Sequence, residues 1–177
     1  MNRYLGFALL LGVILAVLIY VYGATTPAPR ASVPSESETS TTTPVTRTVR
    51  LYYYDPSRDQ DASGNVMCTR DGLVAVSREI ASKTPIEDTL RLLLAGNVTE
   101  AERALGVTTE YPLSGLSLVS VALSGDGTLT LELRDPEGKT GGGSCRVAIL
   151  FAQIDATARQ FPEVSSVRFI PDDLFQP

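Results

Sequence analysis

The sequence predicts an α/β fold: a two-layer sandwich whose mixed β-sheet carries two amphipathic helices on one face, preceded by an N-terminal transmembrane helix. Three observations carry that expectation. Short runs of β-branched and aromatic residues alternate with polar ones between turn-forming punctuation. Two longer stretches repeat apolar residues at helical spacing. An uncharged apolar run opens the chain, and a Thr/Ser/Pro-rich segment separates it from everything else.

Residues 5–22, LGFALLLGVILAVLIYVY, contain no charged side chain. At about 1.5 Å per residue they reach ~27 Å, close to the hydrocarbon thickness of a bilayer. Tyr4, Tyr20 and Tyr22 bracket the run as interfacial aromatics do. Arg3 and the amino terminus precede it, and the first acidic residue is Glu36. The positive-inside tendency therefore puts the N-terminus in the cytoplasm and the rest of the chain outside. The expectation is a single-pass cell-membrane protein, with residues 1–22 as cytoplasmic stub and anchor and the lipid bilayer as partner through residues 5–22. A cleaved signal peptide is the alternative. It calls for a shorter apolar run and a small-residue site, whereas Val21 and Tyr22 before Gly23 are bulky. Residues 23–48 are dominated by Thr, Ser and Pro with little large and apolar, so they cannot offset the entropy of ordering and read as a tether. Extended, they reach up to ~80 Å.

Residues 49–177 form the expected extracytoplasmic domain. VRLYYY alternates as a strand, and DPSRDQDASGN follows as a polar loop. LVAVSREI is a second strand with Val74, Val76 and Ile80 on one side. KTPIEDTLRLLLAGN is the clearest helix start, with Thr84 as N-cap, Pro85 in the first turn, Glu87 closing a capping box and Gly96 as the stop. Ile86, Leu90, Leu93 and Leu94 share its apolar face. TEAERALG adds a short helical turn. LSLVSVALSGDGTLTLEL is a hairpin with Val119, Val121 and Leu123 on one stripe and Leu129, Leu131 and Leu133 on the other. A second helix starts at Ser144 and buries Val147, Leu150, Phe151, Ile154 and Ala158. VSSVRFIP closes as a strand.

The charge balance is mildly acidic, net −5, and the basic residues are scattered singly. Nucleic-acid binding through phosphate neutralisation is therefore not expected. The stretch DPEGKTGGGSC lacks the first glycine of a phosphate-binding loop, because Leu133 stands five positions before Gly138. It reads as a turn ahead of a helix. Cys145, at a helix start where the dipole favours thiolate, is a candidate nucleophile. Yet the chain has no histidine to serve as its base, and its two cysteines, Cys68 and Cys145, both fall on the outer side. A disulfide between them is the competing reading. It would close a loop of about 78 residues and contribute up to ~4 kcal/mol. Two unpaired thiols are the third possibility. Asp59, Asp61 and Ser63 mimic the first half of a calcium loop, but Arg70 occupies the position of its closing glutamate. No cofactor is expected. The acid pairs Glu87/Asp88 and Asp172/Asp173 are sequence neighbours, not a spaced catalytic dyad. In the run Tyr52-Tyr53-Tyr54, alternation sends Tyr52 and Tyr54 to one face as a candidate aromatic surface for a partner or wall sugar.

The succession VRLYYY, TPIEDTLRLLLAG, LSLVSVALSGDGTLTLEL, CRVAILFAQIDATARQFPEV and SSVRFIPD resembles the GerMN domain family of sporulation and spore-germination envelope proteins. The resemblance spans nearly all of residues 49–173, in one copy where the protein that names the family has two. It implies a non-enzymatic extracytoplasmic domain, similar in fold to the ring-building modules of secretion and sporulation machinery, with no catalytic residue to carry over. The expected function is scaffolding in a bacterial cell envelope, through an envelope protein partner or self-assembly. The alternatives are a wall-binding module, with peptidoglycan glycan or peptide on Tyr52 or Tyr54, and a cysteine-dependent enzyme at Cys145.

Overall fold

The computed structural model describes residues 45–176. The expected anchor over residues 5–22 and most of the tether lie outside the described residues. Among the described residues no helix is long and apolar enough to cross a membrane.

Strand β1 (Val45–Tyr54) pairs antiparallel with β2 (Leu73–Ser82) along its whole length, from Val45 opposite Ser82 to Tyr54 opposite Leu73. Alternation is its cause: Val49, Leu51 and Tyr53 turn to the core, and Val76 and Ile80 face them from β2. β1 starts at Val45, so the last residues assigned to the tether are the exposed outer end of a strand.

Helix α1 (Pro85–Leu94) follows, with Leu90 and Leu93 buried. Thr84 stands at its N-cap position without a side-chain cap bond, and the expected capping box does not form. Glu87 instead reaches one turn forward to Arg91, at 2.7 Å, while Asp88 takes the hydroxyl of Ser82. The capping box lies in the short helix α2 (Glu100–Ala104), where Thr99 and Glu102 bond reciprocally.

Strands β3 (Ser117–Leu123) and β4 (Thr128–Arg134) make the expected hairpin, closed by the Gly127 amide donating to the Ser124 carbonyl at 3.0 Å. Leu129, Leu131 and Leu133 are buried as expected. The β3 stripe is not. A register shift between Leu118 and Ser120 makes Val119 a bulge, so Leu118 faces the core and Val119 is 51% exposed.

Helix α3 (Ser144–Ala158) starts with Gly143 as N-cap, one residue before the expected Ser144. It leads to β5 (Ser166–Ile170), which lies parallel beside β4, as a helical crossover allows.

A single sheet was expected; the described residues form two, β1-β2 and β3-β4-β5. The helices join them. α1 and α3 pack on each other and on β1, and each also reaches the second sheet, α1 at β3 and α3 at β5. One apolar core runs through this arrangement, from Leu51 and Tyr53 through Leu93, Leu150 and Ile154 to Leu131 and Phe169.

Candidate functional site

Four of the residues singled out for chemistry, Tyr54, Asp59, Cys68 and Cys145, are brought together where the loop 55–72 leaves β1 and is tied to the start of α3. Tyr54 was expected to share an exposed face with Tyr52. It is buried, at 3% exposure, because β1 ends there and the loop folds back over its ring. A Cβ on Gly72 would overlap that ring, so only glycine fits at the roof. The Tyr54 hydroxyl donates to Asp59, itself buried. Asp59 also accepts from the Thr69 amide and hydroxyl, each at 2.6 Å. Burial and the Asp59 carboxylate push the Tyr54 phenol up. Burial alone would raise Asp59, but the hydrogen bonds from Thr69 and Tyr54 outweigh it and hold the carboxyl below its ordinary value. Tyr52 is half-buried, and its amide donates to the Thr157 hydroxyl at 3.0 Å. No exposed Tyr52–Tyr54 surface is formed.

Cys68 and Cys145 are placed as a disulfide pair, Cα atoms 5.2 Å apart, tying this loop to the first turn of α3. In that state Cys145 presents no thiol, and the nucleophile reading loses its reacting atom. Nearer the other end of α3, Arg70 of the same loop bonds Asp155 at 2.5 Å, and Arg159 approaches the same carboxylate at 3.8 Å. Loop and helix are thus held by one covalent tie and one charged pair.

The half calcium motif is spent on protein donors. Asp59 is engaged as above, and Asp61 accepts from the amides of Ser63 and Asn65 and from the Asn65 side chain. Among the described residues no group of three His, Cys, Asp or Glu is placed to hold a metal ion. The Gly-Lys-Thr stretch is likewise a turn: Asp135 accepts from the amides of Lys139 and Thr140, at 2.9 and 2.7 Å.

Sequence reasoning missed the buried polar residues of α3. Gln153 and Thr157 flank its apolar stripe on one side and Asp155 on the other, where polar residues are expected to meet solvent, yet all three are buried. Each has a distant partner, as buried polar groups require. Thr109 donates to Gln153, Arg70 to Asp155 and the Tyr52 amide to Thr157. The surface also carries exposed apolar side chains: Val66 and Met67 at the loop tip, Leu105 after α2, Val119 and Leu123 on β3, and Ile170 on β5.

A solved structure of a Clostridium perfringens protein described as a lipoprotein is similar at 15% identity, covering 70% of this chain and 73% of that one, with a TM-score of 0.37. No curated protein matches. The family model described as Germane, sporulation and spore germination, matches residues 50–173. That match runs from the first core strand past the last one and takes in every element of the core, and the chain therefore belongs to the Germane family of sporulation and spore-germination domains.

Proposed function

We propose that this protein is a non-enzymatic interaction module of a bacterial cell envelope, carried outside the membrane on a single-pass anchor and a Thr/Ser/Pro tether. The observation that carries the reading is the division of the chain. The family match occupies only the folded body, residues 50–173. Ahead of it lie an uncharged apolar run of a length that would span a bilayer and a Thr/Ser/Pro-rich segment. Such a layout positions a surface at a distance from the membrane. The body supports that use: Arg70 with Asp155 and Arg78 with Glu102 tie its elements together, and its exposed apolar residues are available for contact. Neither alternative gains support. Tyr54 is buried and cannot join Tyr52 in gripping a glycan, and Cys145 sits in the disulfide pair.

Fractionation of cells expressing the full chain tests the reading. The protein is expected to stay with membranes through alkaline carbonate washing, and protease added to spheroplasts is expected to remove residues 45–177. Release by carbonate, or protection of the domain until lysis, would overturn it. Photo-crosslinking from exposed domain positions should then capture protein, and purified domain should not sediment with isolated cell wall.

A further inference from the structure

The sheet order leaves β3 at an edge, and α1 packs beside it. Along that seam lie two cavities of about 240 Å³ each. The first opens between the start of α1 and the end of β3, with Ile86, Val121, Leu123 and Leu129 as apolar lining and Glu87 and Glu163 as carboxylates. The second lies between the end of α1 and the start of β3, between Leu94, Leu116 and Leu118. As the helix advances the strand retreats, so helix and strand run antiparallel with the cavities in line between them. Arg91 stands at the division. Its guanidinium is held by Glu87 and donates to the Leu118 carbonyl at 3.0 Å, taking an acceptor on β3 that a further strand could use.

Edge strands are ordinarily guarded by lysine, proline or inward charge. β3 reads SLVSVAL, with none of these, and its Val119 and Leu123 are exposed. Its guards are the bulge at Val119 and the Arg91 bond to the Leu118 carbonyl, which leave Ser120 to Leu123 as regular edge. The charge around the open end selects the occupant. Glu87 and Glu163 line it, and the hairpin turn bearing Asp126 packs on residues 163–165 through the Ser165 amide and the Gly127 carbonyl, 2.8 Å apart. Among the described residues Glu163 is in no ion pair. Glu87 is taken by Arg91, so the carboxylate left for an occupant is that of Glu163, which calls for a cationic side chain and would repel an anionic lipid surface.

We propose that the seam between α1 and the free edge of β3 receives an extended segment of a partner protein. That segment adds backbone hydrogen bonds along Ser120–Leu123, places alternate apolar side chains in the cavity at Ile86, Val121 and Leu123, and sets a Lys or Arg beside Glu163. Strand addition of this kind takes affinity from the main chain and specificity from side-chain pockets. So short an edge makes a small interface, of the weak, transient class. The proposal rests on the interaction reading above and assigns it a surface.

The test uses the full-length protein in detergent micelles and two capped heptapeptides, Lys-Thr-Val-Thr-Val-Thr-Lys and its counterpart with Glu at both ends. Hydrogen exchange is read across β3, and affinity by fluorescence anisotropy. The Lys-flanked peptide is expected to slow exchange at Ser120–Leu123 and to bind at least about 10-fold tighter than the Glu-flanked one. Glu163→Lys should erase that preference without weakening the fold, and Leu123→Ser should weaken both peptides by roughly 5-fold or more. Equal binding of the two peptides overturns the proposal, as does protection elsewhere or none. Protection of β3 that grows with protein concentration in the absence of peptide gives the seam to a second copy and overturns it too. If the peptides fail while photo-crosslinking captures a partner elsewhere on the domain, the seam is wrong and the interaction reading stands. If fractionation fails while the peptides bind, the reverse holds.

Discussion

At the scale of single residues, the most consequential charged pair is Arg78 with Glu102. The guanidinium meets both carboxylate oxygens at 2.8 Å and also donates to the Asn97 carbonyl, joining β2 to α2. Those bonds from Arg78, opposed by burial and aided by Thr99, bring Glu102 from its ordinary 4.5 down to about 2. Because the folded-state value lies below the unfolded one, the stabilisation is complete above pH 4.5 and is lost as pH falls toward 2. It amounts to at most about 3 kcal/mol. Glu102→Gln is therefore expected to cost about 2–3 kcal/mol at neutral pH, with the gap to the parent closing in acid, read from urea unfolding at pH 7 and pH 3. Gly96 makes a second residue-scale prediction. Its φ is +64°, and a Cβ there would overlap the carbonyl of Tyr111. Gly96→Ala should lose at least about 2 kcal/mol, combining left-handed strain with a backbone clash, and thermal unfolding will show it.

At the scale of elements, α3 organises the molecule by being enclosed on more than its apolar stripe. Thr157 is fully buried, and its hydroxyl is the acceptor for the Tyr52 amide. Thr157→Val keeps the shape but strands that amide, so a loss of about 1–3 kcal/mol is expected in chemical denaturation, with faster hydrogen exchange at Tyr52. None of this was legible in the sequence, because the partners of α3 are far away in the chain: Thr109 lies 44 residues from Gln153, Arg70 lies 85 from Asp155, and Tyr52 lies 105 from Thr157. Periodicity did locate the helix and its apolar stripe, since Val147, Leu150, Ile154 and Ala158 are buried. Alternation likewise located all five strands and the inward leucines of β4. What alternation cannot carry is which strand lies beside which, so two sheets were read as one. Nor does it carry a bulge. Val119 and Val121 look equivalent in SLVSVAL, and only the extra residue opposite β4 turns one of them out. Tyr54 failed for a related reason, since the alternation holds but the returning loop covers the face it points to.

At the scale of the whole molecule, the body is held by its single core and by the tie between Cys68 and Cys145, 77 residues apart. Cross-linking so long a loop removes chain entropy worth up to about 4 kcal/mol from the unfolded state. A double Cys68→Ser, Cys145→Ser variant is expected to fold, since the core does not depend on sulfur, but to melt roughly 10–15 °C lower. Mass spectrometry of the parent with a thiol-blocking reagent supplies the companion measurement. No label should enter until the protein is reduced, and a linked Cys68–Cys145 peptide should appear after digestion. Rapid labelling of Cys145 without reduction would reopen the thiol chemistry that the bonded pair removes.

The wide separation of the two cysteines also orders events in time. A ribosome adding about 5–20 residues per second makes Cys145 roughly 4–15 s after Cys68, given the 77 positions between them. For that interval the newborn chain carries a thiol without its mate, beside Val66 and Met67, which stay exposed even in the finished fold. β5, which completes the second sheet, is made later still. The domain is thus finished from its tail, and its period of greatest exposure to oxidants and to neighbouring chains falls before the final third has been synthesised.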